Sequence, residues 1–223
     1  MVSVKDSAWS LSPAIVSRFL EHCTRRERGK RQVLCRPGDQ SGTMLYLIKG
    51  SVSVMVMEEG DRELILGEFH EGDFIGEISL FFPIGPRGVF IRAKTPVEVA
   101  EIDTETFKAL LLGPLAPDAA ILLYSIGSQL ARRLLETRRK ASSLALLDVE
   151  GRIKRALVDL FHDTPFPDSQ GPAVHISRRE LAARVGCTRE VSGRIVKRLS
   201  EKGWLVDKGK VLLLKDVPEA PLH

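Results

Sequence analysis

Cysteine is scarce in the 223-residue chain, and no apolar run is long enough to cross a bilayer. The cysteines Cys23, Cys35 and Cys187 are odd in number and far apart, so they indicate reduced thiols rather than a disulfide framework. Their spacing also lacks the close grouping of a zinc or iron–sulfur site. No run approaches the roughly 20 apolar residues of a membrane helix, and residues 1–9 lack a signal-peptide pattern. We therefore expect a cytoplasmic protein without a metal centre.

The first two thirds of the chain carry no excess charge. Residues 1–148 contain 19 basic and 19 acidic side chains, whereas residues 149–223 contain 14 and 10. Within residues 176–210 the numbers are 10 and 4. A local basic excess is expected of a surface that contacts nucleic acid, but a solvated basic face has the same composition. Charge alone leaves both interpretations open, and the length suits two domains.

The N-terminal part of the chain changes its pattern near residue 30. Residues 10–28 have the apolar spacing of a helix, whose inner face is expected to carry Ile15, Val16, Phe19 and Leu20. From about residue 31 to 103, short apolar runs alternate with Gly-containing turn signals. Several short strands at regular spacing predict a β-sandwich or a β-barrel. The clearest strands are expected at residues 51–56, 64–66 and 97–102.

Residues 117–148 have the pattern of one long helix beginning at Pro117-Asp118. Its apolar side chains recur with the 4–3 spacing of a coiled-coil seam. The predicted dimer interface consists of Leu123, Ile126, Leu130, Leu134, Thr137, Ala141 and Leu144. A narrow apolar stripe favours a symmetric homodimer; the alternative is packing on the β-domain of the same chain, and both can hold along different parts of the helix. Thr137, the polar position, sets the register or faces a ligand.

The C-terminal part predicts the order helix, turn, helix and hairpin. A helix at residues 149–161 and a Pro/Gly-rich loop at residues 163–172 precede it. Ser177 and Glu180 then form a capping box, whose hydroxyl and carboxylate satisfy free amides at a helix start. Gly186 supplies the sharp turn, and a hairpin with a basic turn is expected at residues 204–214. Together these features predict a winged helix-turn-helix.

The second helix of this motif is expected to begin at a Thr188 cap and to place charged residues opposite its apolar face. Arginine binds two guanine acceptors and glutamate accepts from cytosine N4. Arg189, Glu190 and Arg194 are therefore candidates for reading bases in a major groove. Basic side chains on the rim serve phosphates, which position the protein without specifying sequence. The predicted DNA-binding set is Ser177, Arg178, Arg179, Thr188, Arg189, Glu190, Arg194 and Lys197.

Residues 178–197, RRELAARVGCTREVSGRIVK, resemble the DNA-binding motif of the CRP/FNR family of catabolite activator type. The resemblance implies that Arg189, Glu190 and Arg194 recognise a TGTGA-like half-site in a palindromic operator of double-stranded DNA. It also implies RNA polymerase as a partner. Val191 departs from the threonine common in the family.

Residues 72–81, GDFIGEISLF, followed by Arg87-Gly88, resemble the cyclic-nucleotide phosphate cassette of the same family. A glycine lets a backbone approach a ligand closely, and the turn after it directs amide N–H groups at an anion. Within the site that the resemblance implies, Glu77 accepts from a ribose hydroxyl, Arg87 neutralises a phosphate and Thr137 contacts the purine. The predicted ligand-binding set is Gly76, Glu77, Ile78, Arg87, Gly88, Thr137 and Arg138.

Two positions depart from the family's cassette pattern. Gly88 replaces a serine that donates to phosphate, and Arg138 replaces a serine that the partner subunit presents to the base. Residues 51–54, 61–67, 115–118 and 133–142 are similar to the CAP-like protein (Clp) subgroup, some members of which answer to cyclic di-GMP, which can turn DNA binding off. Arg138 beside Arg139 suits a ligand with two phosphates. The effector stays open between cAMP and cyclic di-GMP, and a ligand-independent regulator with a vestigial pocket is the alternative.

We therefore expect an α+β protein of three parts. Residues 1–116 form a cyclic-nucleotide-binding β-barrel of the jelly-roll type, residues 117–148 a long dimerisation helix, and residues 149–223 a winged helix-turn-helix. An enzyme acting on cyclic nucleotides is disfavoured because no metal cluster or nucleophile–base pair is visible in the sequence. Lone histidines, His22 and His70, do not indicate haem. We expect no catalysis, no haem, no iron–sulfur cluster and no membrane contact.

Overall fold

The computed structural model describes residues 11–40, 42–58, 62–82, 85–163 and 172–215. These residues fall into two compact units. The first unit is Met1–Met55 with Gly67–Thr137, and the second is Val56–Leu66 with Arg138–His223, each as far as it is described. One of the Gly-containing turn signals, Glu59-Gly60-Asp61, lies outside the described residues, as do residues 164–171 of the predicted loop.

In the part of the N-terminal region that the structure describes, eight strands form two four-stranded sheets. The sheet orders are β1-β8-β3-β6 and β2-β7-β4-β5. Over the described residues the two sheets stay separate and do not close into a barrel, so the jelly-roll type predicted from the sequence is confirmed in its sandwich form. The strands are β1 (Thr24–Arg28), β2 (Val33–Cys35), β3 (Thr43–Lys49), β4 (Val52–Glu58), β5 (Arg62–Phe69), β6 (Phe74–Ile75), β7 (Phe90–Ala93) and β8 (Val97–Asp103).

Strand β3 of the first sheet is buried on both of its faces. Successive side chains of a strand point to opposite faces, and in β3 Leu45 and Leu47 pack with residues of the second sheet. Met44 and Tyr46 point the other way, where α1 (Pro13–Leu20), α3 (Thr104–Leu112) and the long helix cover the sheet. Phe19 of α1 is the centre of this outer core and meets Tyr46, Phe74 and Phe107 edge-on at 5.5 to 5.7 Å between ring centroids. The helix predicted from Ile15, Val16, Phe19 and Leu20 is thereby confirmed.

The predicted helix over residues 10–28 is wrong at its C-terminal end. Residues 13–20 are helical, but β1 is a strand that pairs antiparallel with β8. All five of its residues are exposed, so it has no apolar alternation from which a strand could be predicted. Tertiary pairing decides its structure: Arg25 lies 3.3 Å from Glu98, and Arg26 lies 3.5 Å from Glu101, both on β8.

The long helix, α4 (Ala119–Leu146), follows a single 3₁₀ turn at Ala116–Asp118, close to the predicted start. Its first part is buried in its own chain, with Leu122 and Ile126 both 0% exposed in the outer core. Among the residues described, no single helix is long and apolar enough to cross a membrane. In the same described ranges, one pair of helices, α3 with Ala116–Leu146, is long and apolar enough when taken together, but it is bent by 91°.

The helix-turn-helix and its hairpin form as predicted, together with one strand that was not predicted. The short strand β9 makes the hairpin a three-stranded sheet of order β10-β11-β9. Leu157, Leu181, Val196 and Leu212 are 0% exposed in the core that joins these elements. The remaining elements are α2 (Ile78–Phe81), α5 (Val149–Asp163), β9 (Ala173–His175), α6 (Arg178–Val185), α7 (Arg189–Glu201), β10 (Leu205–Lys208) and β11 (Val211–Leu214).

Candidate ligand cassette and DNA interface

The cassette is built around Gly76, which follows β6 with a φ of +84°. This conformation favours glycine. A Cβ at this position would lie 2.8 Å from Nη1 of Arg87 and 2.9 Å from the carbonyl oxygen of Thr43. The Arg87 guanidinium donates a hydrogen bond to the same carbonyl. The structure thus brings Gly76 and Arg87 together, as the sequence predicted.

Glu77 lies beside this glycine and is 3% exposed. Its carboxylate forms an ion pair with Arg133 of α4. Arg133 also donates to the carbonyl oxygen of Phe74 at 2.6 Å and stacks over the ring of Phe69 at 3.7 Å. A buried carboxylate is stable only when a cation or hydrogen bonds compensate its lost hydration, and Arg133 supplies that compensation.

Sequence reasoning missed three α4 residues that hold the cassette. The Gln129 amide donates to the carbonyl oxygen of Gly72 at 3.0 Å and accepts from the amide of Phe74 at 2.8 Å. Arg132 lies 2.8 Å from Asp73, and Arg133 pairs with Glu77. Gln129 and Arg133 lie three and seven residues after the buried Ile126, on one helix face. Polar residues that continue a buried apolar face were the available signal.

The other predicted ligand residues are more open. Ile78 is 51% exposed, and a Cβ on Gly88 would meet no atom within 4 Å. Thr137, one turn beyond Arg133, and Arg138 are both exposed. The described part of the first unit therefore assembles Gly76, Glu77 and Arg87 into one cluster, whereas Ile78, Gly88 and Thr137 remain surface positions. Arg138 begins the C-terminal segment of the second unit.

The predicted dimer seam is buried at its start and open further along. The prediction that Ile126 lies in the dimer interface is corrected. Ile126 is 0% exposed within its own chain, because the first turns of α4 cover the outer core. It therefore has no surface to offer a partner. Leu130 is partly buried against the same core. By contrast, Leu134 is 70% exposed, and Leu123 and Leu144 are 37% and 38% exposed. The remaining seam positions, Thr137 and Ala141, are exposed as well.

Both helices of the helix-turn-helix start at the predicted caps. The Ser177 hydroxyl accepts from the amide of Glu180 at 3.2 Å, and the Thr188 hydroxyl accepts from the amide of Val191 at 3.3 Å. Gly186 ends α6 with a φ of +69°, which is the left-handed cap that glycine provides. These three positions fix where α7 begins.

The face of α7 that the sequence predicts to read bases is exposed. Ser192, Ile195, Val196 and Leu199 are buried in the domain core, while Arg189, Glu190, Arg194 and Lys197 are exposed. The pKa of Glu190 is lowered because its carboxylate accepts from its own backbone N–H and from the Thr188 hydroxyl. The side chain is therefore ionised at neutral pH and can accept a hydrogen bond from a base.

A cavity of about 550 Å³ opens between the start of α6, the start of α7 and the turn of the hairpin. Its lining residues are Ser177, Arg178, Arg179, Arg189, Asp207, Gly209 and Lys210. Arg178 forms an ion pair with Asp207 of β10, and Arg179 forms one with Glu63 of β5. The cavity is rich in cations and lies beside the recognition face.

The three thiols are protonated at neutral pH. Burial raises the pKa of Cys23 to about 11 and raises the pKa values of Cys35 and Cys187. A protonated thiol is a poor nucleophile and a poor metal ligand. In the described ranges no group of three or more histidine, cysteine or acidic side chains is placed to hold a metal ion.

A jelly-roll sandwich that carries a cassette resembling a cyclic-nucleotide phosphate site, followed by a winged helix-turn-helix, defines the class of CRP-type transcription regulators. Residues 25–113 match the cyclic nucleotide-binding domain family, and residues 151–219 match the Crp-like helix-turn-helix domain. The CRP-like proteins Clp of Xanthomonas campestris pv. campestris and of Xanthomonas oryzae pv. oryzae are each 46% identical over 206 residues, which is 92% of this chain and 90% of theirs. The chain belongs to this Clp family of CRP-like regulators.

Two solved structures show the same fold. The c-di-GMP-responsive global regulator CLP of Xanthomonas campestris superposes with a TM-score of 0.86 at 45% identity, covering 92% of this chain and 100% of that protein. A CooA mutant from Carboxydothermus hydrogenoformans has a TM-score of 0.69 at 21% identity, covering 89% and 86%. The second likeness concerns the fold alone.

Proposed function

We propose that the protein is a homodimeric, sequence-specific transcription regulator whose DNA binding is controlled by a cyclic nucleotide, with cyclic di-GMP as the favoured effector. The observation that carries the proposal is the division of α7 into a buried apolar face and an exposed face bearing Arg189, Glu190 and Arg194. These side chains match the donors and acceptors of guanine and cytosine edges. A cytoplasmic location, a palindromic TGTGA-like operator and RNA polymerase as a partner belong to the same proposal, as does the absence of a catalytic role.

Homodimer formation is supported by the open part of α4. Leu134 is 70% exposed, and Leu123 and Leu144 continue its stripe at coiled-coil spacing. An isologous dimer covers such a stripe with its own copy. A dimer also presents two recognition helices to two half-sites about one turn of DNA apart, which a palindromic operator requires.

Cyclic di-GMP is favoured over cAMP for two reasons. Gly88 leaves open space where a serine hydroxyl would donate a hydrogen bond to a single cyclic phosphate. Arg138, the last residue of the predicted ligand-binding set, adds an exposed cation. In addition, the relative that shares 45% identity is described as c-di-GMP-responsive. A ligand with two phosphates makes use of more than one guanidinium.

Effector identity is tested by isothermal titration calorimetry of the purified protein with cAMP and, separately, with cyclic di-GMP. We expect a heat of binding only with cyclic di-GMP, and we expect the Arg138→Ala variant to bind this nucleotide more weakly. Tight binding of cAMP alone would overturn the choice of effector and identify a catabolite-type activator. In that case Gly88→Ser is expected to strengthen cAMP binding further, because it restores a donor to phosphate.

A ligand-independent regulator is the second candidate. The observation that favours it is that polar groups of the cassette already have partners within the chain: Arg87 donates to the Thr43 carbonyl, and Glu77 pairs with Arg133. No heat with either nucleotide, together with operator affinity that neither nucleotide changes, would make this candidate the better one.

The DNA interface is tested with Arg194→Ala. We expect discrimination between a TGTGA-like palindrome and random DNA to fall by about 1–3 kcal/mol per half-site, because a bidentate base contact is lost. The matched control is Lys197→Ala on the same exposed face, which is expected to weaken binding to both DNAs equally. Electrophoretic mobility shift or fluorescence anisotropy measures both ratios, and unchanged discrimination in Arg194→Ala would reject the assigned face.

A further inference from the structure

The two arginines at the start of α6 face the cation-rich cavity, yet each is already paired with a carboxylate of the second unit. Arg178 pairs with Asp207, which belongs to the adjacent hairpin of the same helix-turn-helix module. Arg179 pairs with Glu63, at 2.9 Å. Glu63 lies on β5, 116 positions earlier in the chain. The second carboxylate therefore comes from outside the DNA-binding module.

The Glu63–Arg179 pair is asymmetric in its exposure. The Glu63 side chain is 9% exposed, whereas that of Arg179 is 68% exposed. A carboxylate removed from water interacts more strongly with its partner than a fully hydrated one does. The arginine stays open on its outer side, where a phosphate of DNA is able to reach it. The pair thus combines a buried carboxylate with a guanidinium that remains accessible to solvent.

The residue after Glu63 also lies close to the helix-turn-helix. A Cβ on Gly186 would lie 3.3 Å from Cδ1 of Leu64, the neighbour of Glu63. Gly186 ends α6 and begins the turn to α7. Glu63 therefore pairs with a residue at the start of α6, and Leu64 lies close to the glycine that ends the same helix.

We propose that Glu63 competes with DNA phosphate for Arg179. The segment of β5 that contains Glu63 and Leu64, called here the β5 segment, therefore restrains DNA binding while this segment lies against α6. The inference rests on the proposed DNA-binding function and adds a regulatory contact to it. Carboxylate and phosphate are both anions that a guanidinium binds with two parallel hydrogen bonds. One arginine therefore serves Glu63 or a phosphate, and withdrawal of the β5 segment frees one phosphate contact.

The test is the variant Glu63→Gln, which keeps the side-chain shape and removes the competing charge. At about 0.1 M salt we expect affinity for DNA to rise roughly three- to tenfold, and the slope of log K against log salt to steepen by about 0.9, the value for one additional phosphate contact. Because phosphates carry no sequence information, the gain is expected to be equal for operator and random DNA. Fluorescence anisotropy over a salt series measures all three quantities.

A double-mutant cycle identifies the route by which Glu63 acts. In an Arg179→Ala background, Glu63→Gln is expected to change DNA affinity no further, because no guanidinium remains to be released. The control Glu105→Gln removes the same charge from the exposed surface of α3, where Glu105 pairs with Lys108, and should leave DNA affinity within about twofold. Circular dichroism of each variant verifies that the fold is retained.

The results distinguish a failure of the proposed competition from a failure of DNA binding itself. If the unmodified protein binds no DNA either with or without cyclic nucleotide, the proposed function fails. If it binds DNA but Glu63→Gln leaves affinity and salt slope unchanged, or the gain persists without Arg179, the competition between Glu63 and phosphate is refuted while the DNA-binding function stands.

Discussion

Gly76 and Arg87 share a space that excludes any larger side chain at residue 76. The backbone carbonyl of Thr43 lies within 3 Å of the place where a Cβ would stand, and the guanidinium of Arg87 is equally close. The side chain of Arg87 is able to shift, but the carbonyl belongs to a sheet and is not. The cassette therefore keeps its shape only if residue 76 has no side chain.

We expect Gly76→Ala to lower the free energy of unfolding by about 1–3 kcal/mol, since it adds both left-handed strain and a backbone clash. Nucleotide binding, if measured by calorimetry, should be lost with it. Gly88→Ala is the matched control, because Gly88 has no positive φ and open space around it. Equal urea midpoints for the two variants would contradict the assigned geometry.

Residues whose role requires a particular amino-acid type could be predicted from the sequence. Residues whose role depends on what packs against them could not. Gly76, Arg87, Ser177 and Thr188 were found because a positive φ, an anion contact or a helix cap selects few residue types. Gln129, Arg132 and Arg133 have the composition of an ordinary exposed helix face. Their position on the continuation of a buried apolar face is a weak signal, and only the packing of α4 on the cassette shows which groups they bind.

At the scale of elements, an ion pair joins α1 to the 3₁₀ turn that precedes α4, beside the apolar core that the two helices share. Both carboxylate oxygens of Asp118 accept from Arg18, each at 2.7 Å. The hydrogen bonds from Arg18 lower the pKa of Asp118 below its ordinary value of 3.8. A carboxyl whose pKa is lower in the folded state stabilises the fold above its unfolded pKa, and this contribution is lost as the pH falls through the folded pKa.

Asp118→Asn should therefore destabilise the protein at neutral pH and lose its effect in acid. Urea unfolding at a series of pH values is expected to show the full difference from the unmodified protein above about pH 5, shrinking below about pH 4. Glu136→Gln, which alters an exposed carboxylate of α4, provides a baseline for the general effect of charge. A difference that does not depend on pH would show that Asp118 acts through packing instead.

Elements with a strong apolar period were predicted well and elements without one were not. The long helix, the helix-turn-helix and the strands near residues 52, 64 and 97 follow directly from spacing. The five-residue strand β1 and the three-residue strand β9 are determined by pairing with β8 and β11. The choice between sandwich and barrel depends on which strand edges meet, and local alternation carries no such information.

At the scale of the whole molecule, the exposed leucines of α4 predict the assembly. Leu134→Glu should convert the dimer into monomers, because it places like charges opposite each other in an apolar seam. Light scattering coupled to size-exclusion chromatography measures the mass. Ala131→Glu, an exposed position of the same helix outside the seam, is the control and should remain dimeric. A dimeric mass for Leu134→Glu would reject the seam.

The strand β1 has a further consequence, which concerns solubility. It forms the outer edge of its sheet, and an edge strand exposes backbone groups that are able to pair with another chain. Here that edge carries Arg25, Arg26 and Arg28, all exposed, with Lys30 and Arg31 directly after it. Charges on an edge repel a second copy of the same edge and discourage cross-β stacking. The feature that made β1 hard to recognise as a strand is therefore also what protects the sheet from aggregation.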